Sequence, residues 1–387
     1  MLDLKTQKTP VVMQIIPELG PGGAEQGCID VAQALVQAGA RALVVSAGGP
    51  RVGEIIRAKA EFIPMPVHSK NPWEMYCNIG RIKRLITAWN VDIVHVRSRA
   101  PAWSAYYACK GTNAHFMTTV HAPYNQGGSF KNAYNSIMTK GERVIVISNH
   151  VGRYVTENFN VDPKRLRLIH RGIALDRFHP TMVGMQRMAT LLRDWRIEDG
   201  AQIILLPGRI TRWKGHHVLL EAMARLQRPD VFCVLLGSDQ GRTEYRAELE
   251  AQIERLNLTG QVRIIDHCND MPAAYMISTV IVSASTDPEG FGRIPVEAQA
   301  MGRPIIATDH GGAQETIVRG ETGWLIPPGD SGAMAEALRQ ALALTPQQRA
   351  VLATKSMNHV AMNFTREKMC DDTLSVYAEL LAEKYGR

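Results

Sequence analysis

The sequence predicts an α/β protein built from two doubly wound, Rossmann-like domains that face each other across a cleft. Three observations lead there. Short β-branched apolar runs alternate with helical stretches along the whole chain. That rhythm breaks at about residues 172–180 and then restarts. A length of 387 residues exceeds one ordinary core and suits two. The expected division is residues 1–175, residues 176–364, and a closing helical segment, 365–387, that packs back toward the first domain.

Composition narrows the class of protein. Hydrophobic residues make up 45% and charged residues 21%, which describes a soluble globular chain. No apolar run approaches the roughly 18 residues of a membrane span, and Met1–Gln14 carries no signal-peptide pattern, so a cytoplasmic protein is expected. The six cysteines, Cys28, Cys77, Cys109, Cys233, Cys268 and Cys370, form no C-x-x-C pair. Reduced thiols and no structural zinc follow. The net charge of +7 is uneven: residues 1–180 hold 22 Lys+Arg against 12 Asp+Glu, a net +10, and the remainder is −3. The first half therefore suits an anionic partner, an anionic glycolipid or a membrane surface at the inner face of the cytoplasmic membrane. No nucleic-acid recognition motif accompanies the dispersed basic residues, so nucleic acid is not expected.

Taken in order, Val11–Ile16 reads as the first strand. The turn Gly20-Pro-Gly-Gly-Ala-Glu25 opens a helix to about Ala38, and Ala42–Ser46 is the second strand. Glu25 breaks the G-x-G-x-x-G pattern and no acidic residue follows the second strand, which disfavours a dehydrogenase. Gly22 and Gly23 would still let backbone approach a phosphate. Pro72–Asn90 is amphipathic, with Trp73, Tyr76, Ile82 and Ile86 among its apolar residues and Arg81, Lys83 and Arg84 basic. It suits either an anionic membrane or packing on a sheet.

The strand Asp92–Val96 ends at Arg97-Ser-Arg99, followed by a helix from about Ala102. Ligands of parallel sheets bind beyond the carboxyl ends of strands, which makes Arg97 and Arg99 candidate acceptor contacts. Phe116–Val120 likewise ends in His121-Ala-Pro-Tyr124-Asn125, a loop whose position favours a site. Arg143–Ser148 and Leu166–His170 complete the first half.

In the second half Ile203–Leu206 runs into Pro207-Gly-Arg209-Ile-Thr-Arg-Trp-Lys214-Gly215, whose cations suit a diphosphate. Phe232–Leu236 and Val262–Ile265 are strands, the latter followed by Asp266-His267-Cys268. Ile277–Ala284 is read as a strand leading through Glu289-Gly-Phe291-Gly292-Arg293 into a helix from about Ile294 that contains Glu297. Pro304–Ala307, His310-Gly-Gly312 and Gly323–Ile326 follow, and a helix at about Thr365–Lys384 closes the chain.

These motifs resemble those of GT-B-fold glycosyltransferases of family four, which includes sucrose synthases and many bacterial lipopolysaccharide, capsule and mannoside transferases. Glu289-Gly-Phe-Gly-Arg-Ile-Pro-Val-Glu297 fits E-G-F-G-x-x-x-x-E, and Gly208-Arg209-Ile-Thr-Arg-Trp-Lys214-Gly215 fits G-R-x-x-x-x-K-G. Gly22-Gly23-Ala24-Glu25 is similar to G-G-x-x-E with altered spacing, and Arg171-Gly-Ile-Ala-Leu-Asp176 departs from the family's Asn-Gly-Val-Asp crossover.

The resemblance implies a retaining transferase that takes a sugar from a nucleoside diphosphate, UDP above all, to an envelope saccharide or glycolipid. Arg209 and Lys214 would clamp the diphosphate, Glu289 bind the donor sugar and Glu297 the ribose. Backbone of Phe291, Gly292 and Arg293, with Gly22 and Gly23, would meet sugar or phosphate oxygens, His267 and Cys268 would meet the base, and His121 would line the reacting sugars. Tyr124 and Asn125 join Arg97 and Arg99 on the acceptor side. Two fixed cations make a metal or other cofactor unnecessary, and Asp287-Pro-Glu289 is not expected to hold one. The rival readings are an epimerase or hydrolase on the same fold and a non-catalytic nucleotide-sugar-binding protein.

Overall fold

The computed structural model describes residues 9–125 and 127–385. They form two compact units, one of the described residues up to 172 together with 366–385 and one of residues 173–365.

In the first unit seven strands, β1 (Val11–Ile15), β2 (Arg41–Ser46), β3 (Glu61–Pro64), β4 (Ile93–Val96), β5 (His115–Val120), β6 (Arg143–Val146) and β7 (Leu166–Leu168), form one sheet in the order 3-2-1-4-5-6-7. Every pairing in it is parallel. A parallel sheet is covered on both faces, so its central strands are apolar throughout: all five residues of β1 are buried. The helix Gly23–Gln37 packs Cys28, Val31, Ala32 and Leu35 onto Val12, Val44 and Ile93. The terminal helix Arg366–Tyr385 joins that core through Leu374, Tyr377, Leu380 and Leu381. It is pinned at the sheet's far edge by Glu379, which accepts from Arg143 at 3.1 Å and Arg167 at 2.6 Å.

The helix Pro72–Trp89 buries Asn78, Ile82 and Ile86. Its first turn behaves differently. Trp73 and Tyr76 stack on each other with 71% and 67% exposure. Hence the amphipathic pattern divides along the helix: the middle packs on the unit and the start stays in solvent.

In the second unit six strands, β8 (Gln202–Pro207), β9 (Val231–Leu236), β10 (Val262–Ile265), β11 (Val280–Ser283), β12 (Ile305–Thr308) and β13 (Trp324–Ile326), take the order 10-9-8-11-12-13, again all parallel. Leu206, Val282 and Ile306 meet Leu219, Met334 and Leu338 in its core.

Three differences from the sequence reading concern the strands and the segments that flank them. Ile277 ends a helix, Met271–Ile277, which Asp270 caps through Ala273 N at 3.1 Å, and the strand begins only at Val280. Ser278 closes that helix with its hydroxyl on Ala274 O at 2.7 Å. The helix after β4 starts at Arg99, three residues before the expected Ala102. β3 is an addition, because an edge strand of only intermediate burial lacks the continuous apolar run of its neighbours.

Each sheet reverses its strand order once, between β1 and β4 in the first and between β8 and β11 in the second. Such a reversal splays the loops at the carboxyl ends apart and leaves a crevice for a ligand. β1 and β4 lead into Pro17 and Arg97–Arg99, and β8 and β11 lead into Arg209–Lys214 and Glu289.

Candidate active site

The second unit assembles two carboxylates at its reversal point. Lys214, 8% exposed, donates from Nζ to Glu289 Oε1 at 2.7 Å. Ser285 Oγ donates to the same oxygen at 2.5 Å. The loop bearing Lys214 reaches this point because Gly215 adopts φ +71° against the end of β11, where a Cβ would overlap Ala284 O. The loop bearing Glu289 is held by the segment after β12: Gly312 N donates to Glu289 O at 2.9 Å, and a Cβ on Gly312 would overlap the Phe291 backbone.

Glu297 lies one helical turn inside Arg293–Ala300 and is 8% exposed. Arg293 Nη2 holds its Oε1 at 2.8 Å, the i,i+4 relation of a helix, and the Tyr275 hydroxyl donates to its Oε2 at 2.8 Å. Burial, with the carboxylate beside it, holds Tyr275 well above the ordinary tyrosine range, so that hydroxyl stays a donor. A carboxylate offers about four lone-pair positions, so about two remain open to further donors. Arg293 therefore serves Glu297 directly. Phe291 is buried edge-on to Phe364, ring centroids 5.8 Å apart, and Gly292 takes φ +77° as the residue before the helix.

The remaining predicted residues of this unit lie further out. Arg209 is exposed and, with Thr211, Trp213, Thr286 and Asp287, lines a cavity of about 800 Å³ beside the Lys214 loop. His267 and Cys268 follow β10 at the sheet's edge, His267 Nε2 lying 2.6 Å from Asn269 Oδ1. Burial raises the Cys268 thiol. Among the described residues no three His, Cys, Asp or Glu side chains cluster as metal ligands.

In the first unit Arg171 reaches the start of the helix Gly23–Gln37. Its Nη1 donates to Gly23 O and its Nη2 to His121 Nδ1 at 2.8 Å. Burial, then the charges of Arg171 and Arg97, hold His121 well below the ordinary histidine range. His121 Nε2 is buried with no hydrogen-bond partner among the described residues. Glu25 folds back against Gly22, so negative charge already sits at that helix start.

Arg97 is 6% exposed and donates from Nε to Gln14 Oε1 at 2.7 Å, beneath the surface. Arg99, Tyr124 and Asn125 line a second cavity, of about 700 Å³. Thus the structure gathers three of the four expected acceptor residues and sets Arg97 below them. Arg171 in the first unit, and Tyr275 and Ser285 in the second, each hold a predicted residue without having been expected to. Only Arg171 leaves a trace in the sequence, as the departure from Asn-Gly-Val-Asp.

Two parallel-sheet Rossmann-like units, with a buried lysine–carboxylate pair at the reversal point of the second, define a GT-B-fold glycosyltransferase. The Glycosyltransferase Family 4 pattern matches residues 21–177 and that of Glycosyl transferases group 1 matches residues 188–357. A crystal structure of a glycosyltransferase from Rickettsia africae ESF-5 superposes with a TM-score of 0.90 at 37% identity, covering 96% of this chain and 99% of that one. The chain belongs to glycosyltransferase family 4. Spore coat protein SA of Bacillus subtilis strain 168 is 27% identical over 74% of this chain and 78% of its own length. Anabaena HepE, crystallised with UDP and glucose, shares the fold at a TM-score of 0.81 and 20% identity, over 95% of this chain and 99% of that one.

Proposed function

We propose that this glycosyltransferase moves a sugar from a UDP-sugar, with retention of configuration and without a metal ion or other cofactor, to an envelope saccharide or glycolipid such as a lipopolysaccharide core or capsule precursor. The observation that carries the reading is Lys214 held on Glu289 at the reversal point of the second sheet, with Arg209 on the same loop. The bond between the anomeric carbon and the β-phosphate oxygen breaks, and UDP departs with added negative charge. Lys214 and Arg209 stabilise that charge as a metal would. The acceptor hydroxyl attacks from the face UDP leaves, and its proton passes to the departing phosphate oxygen.

Glu289 binds hydroxyls of the donor sugar. Glu297 binds the ribose, which Arg293 and Tyr275 support by fixing the carboxylate on both sides. With Glu297 so engaged, one carboxylate remains near the sugar, which speaks against the paired carboxylates of a retaining glycosidase. The HepE complex supports UDP as the nucleotide.

Thermal shift against a panel of UDP-, GDP- and ADP-sugars identifies the donor, since a ligand of the folded state raises apparent stability. NMR of the product linkage and turnover in EDTA then test retention and metal independence. Stabilisation by GDP-sugars alone, an inverted linkage, or loss of turnover in EDTA each removes the corresponding part.

No helix among the described residues is long and apolar enough to cross a membrane. A peripheral site at the inner face of the cytoplasmic membrane is supported by the exposed Trp73–Tyr76 stack on a helix carrying Arg81, Lys83 and Arg84. Absence of sedimentation with anionic vesicles at low salt overturns it.

A further inference from the structure

The cavity of about 700 Å³ in the first unit opens at the reversal point between β1 and β4, where Pro17 and Ser98 form part of its wall. Its volume lies in the range of about 300–1,000 Å³ typical of small-molecule sites. Among its lining residues are Lys70, Arg99 and Lys131, with His68 beside them, and no Asp or Glu. No ion pair engages Lys70, Arg99 or Lys131 among the described residues.

Arg99 is held in place by neutral groups. Its Nη1 donates to Oδ1 of Asn135 at 2.7 Å, and Asn135 is fully buried. Its guanidinium carbon lies 4.3 Å from the centre of the Tyr124 ring. These contacts fix the side chain and leave its charge uncompensated. The Tyr134 hydroxyl, on another wall, is buried with no partner among the described residues. Covering this cavity with a neutral saccharide would desolvate a fixed guanidinium without pairing it, which is costly. An anion in the same place would pair it.

We propose that this cavity binds the transferase's acceptor and that the acceptor is an anionic sugar, bearing a phosphate or a carboxylate that contacts Arg99. Tyr124, Tyr134 and Asn125 then flank its ring and hydroxyls. The inference rests on the transferase reading only for naming the occupant an acceptor; the charge of the occupant rests on the cavity.

Calorimetric titration with glucose, glucose 6-phosphate and glucuronate tests it, with UDP titrated separately. At least one anionic probe should bind about tenfold or more tightly than glucose. Arg99→Ala should weaken that probe about 10- to 100-fold, the loss of one charge-assisted hydrogen bond, with UDP affinity and far-UV circular dichroism unchanged. Arg99→Lys should recover part of the loss. Which probe wins separates a phosphate from a carboxylate. Glucose binding as well as both anions, no binding of either anion, or anion binding indifferent to Arg99→Ala overturns the inference while UDP binding leaves the donor reading standing. If UDP fails to bind and an anionic probe binds through Arg99, the donor reading falls and the anionic cavity remains.

Discussion

The Arg171 guanidinium donates through Nη2 to Nδ1 of His121 at 2.8 Å. A guanidinium has no lone pair to offer, so Nδ1 must accept, and the neutral ring then carries its hydrogen on Nε2. That nitrogen is buried without a partner among the described residues. The pair therefore fixes the tautomer and orientation of the ring, and on the proposed transferase reading Arg171 is the positioning residue for that N–H donor. Arg171→Met should lower kcat about 10- to 100-fold and raise the His121 pKa, because a charge that disfavours imidazolium is gone. NMR titration of the His121 ring distinguishes this from a merely structural loss: an unmoved titration contradicts the pairing.

Lys214 and Glu289 form a mostly buried ion pair, with side chains 10% and 19% exposed. Breaking such a pair from one side strands a charge, whereas removing both members does not. On the proposed phosphate-clamp role, Lys214→Met should reduce kcat by about 100-fold or more. It should also destabilise the fold by about 1–3 kcal/mol. The double variant Lys214→Met/Glu289→Gln should regain much of the stability and none of the turnover. Urea denaturation and single-turnover kinetics on the wild type and the two variants check the pattern, and full activity in Lys214→Met contradicts the phosphate-clamp role.

Much of this site is legible in the sequence because its motifs are local. Gly208–Gly215 and Glu289–Glu297 each place a charged residue and the glycine that shapes its loop within nine positions, and strand ends bracket both. The partners that orient predicted residues come from far away in the chain: Tyr275 reaches Glu297 across 22 positions and Arg171 reaches His121 across 50. No periodicity encodes such meetings. The cationic cavity is legible only in part: Arg99, Tyr124 and Asn125 stand at strand ends, whereas Lys70 and Lys131 join them only because the sheet brings together the segments that follow β3, β4 and β5. The two strand-level differences have the same origin. β3 and Ile277 sit where burial is partial, so the apolar pattern is weak or ambiguous between helix and strand.

Gly215 carries a purely steric prediction. Its φ of +71° lies in the left-handed region, and a Cβ would overlap Ala284 O, a backbone atom that cannot swing away. Gly215→Ala should cost about 2 kcal/mol or more and displace Lys214 from Glu289. A stability loss below about 0.5 kcal/mol in thermal or urea unfolding would contradict the close approach.

His95, His121 and His216 lead the acid sensitivity of the fold, with His217 and His359 also held below the ordinary histidine range by burial. Burial holds His95 and His121 well below the ordinary histidine range and pulls the fully buried His216 down to about 4. Above about pH 6.5 both the folded and unfolded chains keep these rings neutral, and pH has no leverage through them. As pH falls below that value the unfolded chain takes up protons that the folded chain refuses, so stability must fall. For His216 alone the loss approaches about 3 kcal/mol by pH 4, since each tenfold difference in proton affinity between the two states is worth about 1.4 kcal/mol. The carboxylates Glu142, Asp270 and Glu379, held below their ordinary values, add to the decline only at lower pH, as they begin to protonate. Urea midpoints between pH 7 and 5 should therefore already drop. His216→Gln should flatten that part of the curve, because glutamine has no proton to gain. A wild-type midpoint constant from pH 7 to 5 would contradict the lowered proton affinity of these rings.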